Sequence, residues 1–436
     1  MQALLSFENA PPFAAPLRFF VTAPLFVALA GLLLLIEGPA ALASRWTPAT
    51  LAITHLITIG FMLQVMCGAL IQILPVVAGA NIARPLRVAT LTHAGLTLGA
   101  LSLAAGFYLG NPRLLAGAAL LLALTALFFL SATALALLGV PSTSPTIRGL
   151  KLSLTGLFAV VTLGVLMAEA MASGRAIPLP ALADLHAAWG LAGWAGVLLA
   201  SVAYVVVPMF QLTPGYPARP GWWFPVLIVA LLILWSLALM FDAAGLIRLC
   251  QGALAMAGLA FAGLTLRLQR QRRRAKSDAT HRYWQIGLVA GMLAMAMLLA
   301  AAIDPALGDF PAWTIAFGVL LIGGAFLPFI IGMLYKIVPF LGWLHLQNQG
   351  ELKVPAPSMN KLLADRDMQY QMRAHGAALA LLLAALIFPE WLARPAGAAF
   401  LLAGGGLCFN LWSAVRRYRQ LGAEIRVKLA ALSAAA

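Results

Sequence analysis

One recurrence constrains this chain above all else. Runs of about 20 residues with almost no charge follow one another along its length, separated by short polar or proline-bearing stretches. A helix rises ~1.5 Å per residue, so a run of ~20 apolar residues matches the ~30 Å hydrocarbon core of a bilayer. Inside that core every backbone N–H and C=O needs a partner within the segment, which a helix supplies. Hydrophobic residues make up 63% of the 436 and charged residues only 9%. A soluble domain carries about a quarter of its residues as charged ones. The class this dictates is an all-α integral membrane protein.

The apolar runs place spans near residues 17–37, 50–79, 86–109, 113–139, 148–173, 180–212, 222–242, 245–268, 284–303, 311–346, 373–389 and 396–416, about twelve transmembrane helices in one polytopic domain. The spans at 180–212 and 311–346 exceed what a bilayer needs, so they must tilt, kink or extend beyond it. The stretch from Gln347 to Met372 mixes Glu351, Lys353, Asp365, Arg366 and Asp367 with Pro355 and Pro357. It reads as a loop with a short surface helix.

A formal charge of +15 would suit nucleic acid on a soluble domain, but no basic, aromatic-studded soluble domain is present to carry it. In a membrane chain the same excess marks cytoplasmic loops. Alternate loops hold Arg84, Arg87, Arg148, Lys151, Arg219, the run from Arg267 to Arg282, Lys353, Lys361, Arg366 and Arg373, and the tail adds Arg416, Arg417, Arg419, Arg426 and Lys428. The opposite loops hold Arg45, Arg113, Arg175, Arg248 and Arg394. This asymmetry places both termini in the cytoplasm of a bacterium, with the chain in the inner membrane. The residues from Met1 to Pro16 lack the basic start of a cleaved signal peptide. The basic cluster Arg270–Lys276 reads as a topology anchor with lipid headgroups as natural company.

Cys67, Cys250 and Cys408 all lie inside apolar runs, so neither a disulfide framework nor a thiolate zinc site is expected. No C-x-x-C-H is present to attach a haem covalently.

A weaker pattern lies within the spans. The second, sixth and tenth helices align on Pro75, Pro208 and Pro339. Fifteen residues earlier stand Gly60, Gly193 and Gly324; seven earlier stand Gly68, Ser201 and Gly332. Such small residues permit close approach, to a neighbouring helix or to a bulky ligand. A period of four helices gives three pseudo-repeated units, near 17–139, 148–268 and 284–416. The first two aligned helices carry His55 and His186 near their starts; the third has no histidine there.

Twelve helices in three pseudo-repeated quartets, with imidazoles on the second and sixth, resemble subunit I of the haem-copper oxidases. In that family the second helix bears a low-spin haem ligand near its outer end, where His55 falls. The sixth bears a copper ligand, near where His186 falls. The adjacent histidines of the family's seventh helix are missing, since that span holds Trp222, Trp223 and Trp235 instead, and the His-x-His of the tenth is missing too. A complete oxygen-reducing site is therefore not expected. The chain is more similar to divergent relatives of the NnrS type, haem- and copper-containing membrane proteins linked to nitric oxide stress. The residues that carry this are His55 through Gly60 and onward to Pro75. The resemblance implies haem b as cofactor with copper as a second candidate, a role in nitric oxide or redox metabolism, and an electron-transfer or respiratory partner.

The histidines sort by position. His55 and His186 are candidate haem or metal ligands at the outer ends of their helices, because imidazole buried in a membrane must find a partner and neutral imidazole binds iron and copper. The competing role for His55 is an interhelical hydrogen bond, helped locally by Thr54 or Thr58; beside His186, Asp184 is placed either to orient the ring as a ligand or to sit in periplasmic water. His93 and His375, each followed closely by glycine, make a second candidate cofactor-binding pair. His281 reads as solvated, His345 as an interfacial anchor, and Lys336 as a cation snorkelling to the membrane edge. Met62 and Met66 add soft donors beside His55, although core packing is their commoner use. Two further functions fit the same pattern: a cofactor-free secondary transporter or permease, and a structural subunit of a respiratory complex. No Walker, dinucleotide or nucleophile motif is present.

Overall fold

The computed structural model describes residues 6–274, 276–351 and 353–435. Part of the amino-terminal stretch and Ala275 of the basic cluster thus lie outside the described residues. The chain forms twelve long helices: α1 (Ala14–Glu37), α2 (Pro48–Ala78), α3 (Pro85–Tyr108), α4 (Pro112–Leu137), α5 (Pro145–Ser173), α6 (Leu179–Gln211), α7 (Ala218–Met240), α8 (Ala244–Arg270), α9 (Ala279–Ile303), α10 (Pro311–Gln349), α11 (Asp365–Ala385) and α12 (Pro389–Ala435). No strand occurs among the described residues. Eleven of these helices are long and apolar enough to cross a bilayer, so the chain is a multi-pass membrane protein. The remaining one, α11, begins Asp-Arg-Asp and stays polar through Arg373, which lowers its mean hydropathy.

Local chemistry explains where helices begin. Proline is the first residue of α2, α3, α4, α5, α10 and α12, a position where its missing N–H costs nothing and its fixed φ suits the helix. Side chains of Thr47, Asn111, Ser144 and Asp278 accept from the backbone N–H three residues on and cap α2, α4, α5 and α9. The Asp278 cap starts α9 five residues before its apolar run. At the far end α12 continues well past residue 416, because Tyr418, Leu421, Ile425 and Leu429 pack on Leu346, Val354 and Leu362. The polar connection is correspondingly short, with one helical turn at Met359–Leu362 before α11 opens.

Small residues set the packing. A methyl group at Gly31 would fall on the backbone of Leu401, one at Gly397 on Leu35, and one at Gly404 on Ala28. This register makes α1 and α12 antiparallel and puts both described termini at one end of the bundle, the tail end. The opposite end, where α2, α6 and α10 begin, is the mouth end.

The aligned small residues all meet the helix just before their own. Gly60 and Gly68 of α2 abut Phe26 and Phe19 of α1. Gly193 and Ser201 of α6 abut Gly156 and Gly149 of α5. Gly324 and Gly332 of α10 abut Ala290 and Tyr283 of α9. They serve helix contact rather than room for a ligand. The same three helices are the most enclosed, 67%, 56% and 72% buried over their apolar windows against 22–50% for the other eight spans. They form the inner wall of the bundle.

Each inner helix also widens once. Leu56–Leu63, Trp189–Gly196 and Val319–Phe326 are eight-residue π-helical segments. Pro75, Pro208 and Pro339 follow them at nearly the same spacing. A π turn adds a residue per turn and shifts the phase of the side chains beyond it; such segments concentrate at functional sites.

Candidate functional site

The three π segments line one cavity of about 770 Å³, within the range of roughly 300–1,000 Å³ typical of ligand and cofactor sites. Its wall is mostly aliphatic and aromatic. Arg45 and Asp184 are the only charged residues among those described on it, and the only imidazoles are His55 and His186.

His55 stands where α2 passes into its π segment. Its Nδ1 lies 2.8 Å from the carbonyl oxygen of Leu51, one turn back. A carbonyl only accepts, so Nδ1 carries the proton and Nε2 keeps its lone pair. The ring packs on Phe107 of α3, with centroids 5.0 Å apart. Among the described residues no interhelical hydrogen bond to His55 forms; Thr58 bonds the Thr54 carbonyl instead.

His186 lies one turn before the α6 π segment, across from α5. A Cβ at Gly164 would come within 3.0 Å of its Cε1, so this glycine makes room for the ring. Nδ1 is enclosed on that side, where the Val160 carbonyl of α5 also comes within reach of the ring, and the side chain lines the cavity. The two imidazoles lie within electrostatic reach of each other. Asp184 does not orient His186; it pairs with Arg45, whose guanidinium also stacks on Trp46 at 4.9 Å. This pair ties the α1–α2 connection to the start of α6 across the mouth of the cavity.

The second candidate pair is not brought together. Nε2 of His93 is 3.0 Å from Thr22 Oγ1, and its ring meets Phe19, so it belongs to the α1–α3 contact. His375 is 1% exposed among Tyr283, Phe400 and the α10 π segment, with Nε2 unpartnered. Neither lines the cavity. His281 is buried rather than solvated: it follows the Asp278 cap and bonds Ser277 at 2.9 Å. His345 stacks on Phe13 at 5.2 Å near the tail end. Lys336 does not snorkel free; its Nζ is 2.8 Å from Asp278, which Arg274 also reaches at 3.0 Å.

Sequence reasoning missed a buried polar knot. Gln371 Oε1 accepts from the hydroxyls of Tyr283 and Tyr335, and its Nε2 donates to the Ala403 carbonyl at 3.1 Å. Asn410 donates to Tyr335 at 2.9 Å and to the Asp367 carbonyl at 3.1 Å. Four helices, α9 to α12, are thereby pinned at the tail end. The available signal was the spacing of Asp367, Gln371 and His375, one residue per helical turn along one face of α11.

Among the described residues no group of three or more His, Cys, Asp or Glu is placed to hold a metal ion. Comparison with protein-family models and with curated proteins returned no match to this chain.

Proposed function

We propose that this chain is a haem-binding membrane protein in which His55 and His186 supply imidazole nitrogens to the occupant of the central cavity. One observation carries the reading. Two imidazoles from two inner helices line the same apolar cavity, His55 with Nδ1 held by the Leu51 carbonyl and His186 with Nδ1 enclosed against α5. That is the arrangement a haem iron requires of an axial histidine, with the second ring nitrogen fixed by its own surroundings. Haem of the b type fits, because it is held without covalent attachment and no attachment motif is present. Copper is the second candidate, with Met62 and Met66 as thioether donors on the same wall. The described donors do not build a site of three imidazoles. When bound, the iron supplies one-electron chemistry. The protein's part is to orient two nitrogens, exclude water with an apolar wall, and cover the mouth with the Arg45–Asp184 pair.

The three π-bearing helices, each packed by small residues on the helix before it, support a plan of three four-helix units like that of the haem-copper oxidase subunit. The role in nitric oxide or redox metabolism rests on that likeness. The charge asymmetry supports a bacterial inner-membrane location with the mouth end toward the periplasm and the tail end in the cytoplasm.

The test is an absorption spectrum with metal analysis of detergent-purified protein, beside the His55→Ala and His186→Ala variants. A Soret band that weakens or shifts in both variants supports the reading. Protein without a Soret band or bound metal, even after haem is added, removes it and leaves the permease and the structural subunit.

A further inference from the structure

Charge meets the cavity only at its mouth. Arg45, from the connection between α1 and α2, and Asp184, near the start of α6, are the charged residues among those described on the wall. One Asp184 oxygen meets Nη1 of Arg45. An arginine has five N–H donors in a flat fork, and this contact occupies one side of it. The other edge, Nε and Nη2, meets no acceptor among the described residues. The guanidinium lies over the Trp46 ring at 4.9 Å, which holds its plane. The Arg45 side chain is 37% exposed, so a ligand at the mouth reaches it without the wall having to open.

The heights of these groups are set by the helices. His55 and His186 each stand seven residues into their helices, after Pro48 and Leu179, which is about 10 Å below the helix starts. Arg45 precedes the start of α2, and Asp184 precedes His186 by two residues, about 3 Å along the α6 axis. A cation with a free fork edge therefore sits on the rim, and two imidazoles stand below it in a wall that is otherwise apolar. Such a site selects an amphiphile with its acid group at the mouth and its apolar body inside. A guanidinium fork pairs with both oxygens of a carboxylate, and a charged pair of this kind is stronger than a neutral hydrogen bond.

We propose that Arg45 is the carboxylate-binding residue of this cavity. Its free Nε–Nη2 edge takes a propionate of the bound tetrapyrrole, while Asp184 and Trp46 hold the fork in place from its other sides. The inference rests on the cofactor reading and deepens it, because it fixes which way the ring enters: acid edge to the mouth, apolar edge toward the tail end. It also gives the Arg45–Asp184 pair a second use beyond tying the α1–α2 connection to α6. Asp184 is then a neighbouring negative charge that the propionate must tolerate, so neutralising it favours binding.

The experiment is fluorescence titration of the detergent-purified full chain, expressed under haem limitation, with metal-free protoporphyrin IX and with its dimethyl ester. Neither probe contains iron, so coordination by imidazole drops out of the comparison. The wild type should bind the diacid at least threefold tighter than the ester. Arg45→Gln should weaken the diacid by roughly three- to tenfold and leave the ester unchanged. Asp184→Asn should bind the diacid at least as tightly as the wild type, which shows that the loss in Arg45→Gln is not merely a broken ion pair. The His55→Ala/His186→Ala double variant should keep the wild-type preference for the diacid. Equal binding of the two porphyrins by the wild type, or an unchanged preference in Arg45→Gln, overturns the proposal and leaves the cofactor reading to its own spectrum. Protein that binds neither porphyrin nor haem overturns both. If Arg45→Gln fails to fold, salt decides on the wild type: the diacid should lose affinity as ionic strength rises and the ester should not, and equal salt dependence of the two overturns the proposal.

Discussion

Nδ1 of His55 donates to the carbonyl of Leu51 at 2.8 Å, and this one bond inside a single helix decides which ring nitrogen remains for a ligand. Because acceptor and donor belong to consecutive turns of α2, the ring is set by the helix itself and needs no second element. His186 is held differently: Gly164 of α5 receives the ring, and Nδ1 is enclosed there. Substituting either histidine should abolish or strongly shift the cofactor spectrum. His93→Ala should leave it unchanged, because His93 is held by Thr22 outside the cavity. Absorption spectra of the three variants, reconstituted side by side with haem, check this.

Crowding should separate two glycines of similar sequence context. A methyl at Gly156 falls on the Gly193 backbone, whereas nothing lies within 4 Å of one at Gly117. Gly156→Ala should cost about 1–3 kcal/mol through overpacking of α5 on α6. Gly117→Ala should be neutral or gain up to about 1 kcal/mol from helix propensity. Thermal melts in detergent read the difference.

The knot at Gln371 offers a test of buried polar coupling. Gln371→Leu leaves the Tyr283 and Tyr335 hydroxyls without their shared acceptor and should destabilise by about 2–4 kcal/mol. Tyr283→Phe in the same background should cost less than it does alone, because one stranded hydroxyl is removed. Melting temperatures of the two single variants and the double variant form the cycle.

A pH dependence belongs to Asp278. Burial acts to raise its pKa, but hydrogen bonds from Lys336 and the His281 amide, with the charges of Lys336 and Arg274, outweigh it and hold the carboxyl below its usual range. A folded-state pKa below the unfolded value of about 3.9 means the contribution is complete well above that pH. It is lost as pH falls through the folded value. Asp278→Asn keeps a capping side chain and removes the charge. It should melt below the wild type at pH 7, with the gap closing as pH falls below the unfolded value and through the folded one. Melts across pH 2.5–7 measure the convergence.

Some of the site was legible in the residues and some was not. His55 and His186 stood out because each begins a long apolar helix with few other polar groups. His93 and His375 looked equivalent to one another, yet they occupy different interfaces, since nothing local to a helix says which neighbour its imidazole meets. Asp184 is two residues from His186 but bonds Arg45, a residue far away in sequence. Gly164 gave no local sign at all, because its role comes from the His186 ring that stands across from it.

The sequence by itself determined the apolar runs, the proline and capping residues that start the helices, and the small residues that let α2, α6 and α10 lie against the helices before them. These are properties of hydropathy and of single side chains, fixed before any long-range contact forms. Only the tertiary structure decided that three π segments surround one cavity, that two of four candidate histidines share it, and that a tyrosine–glutamine knot pins the tail end. Each depends on the rotation of one helix against another. That rotation is set by packing across the whole bundle, which no local stretch of chain encodes.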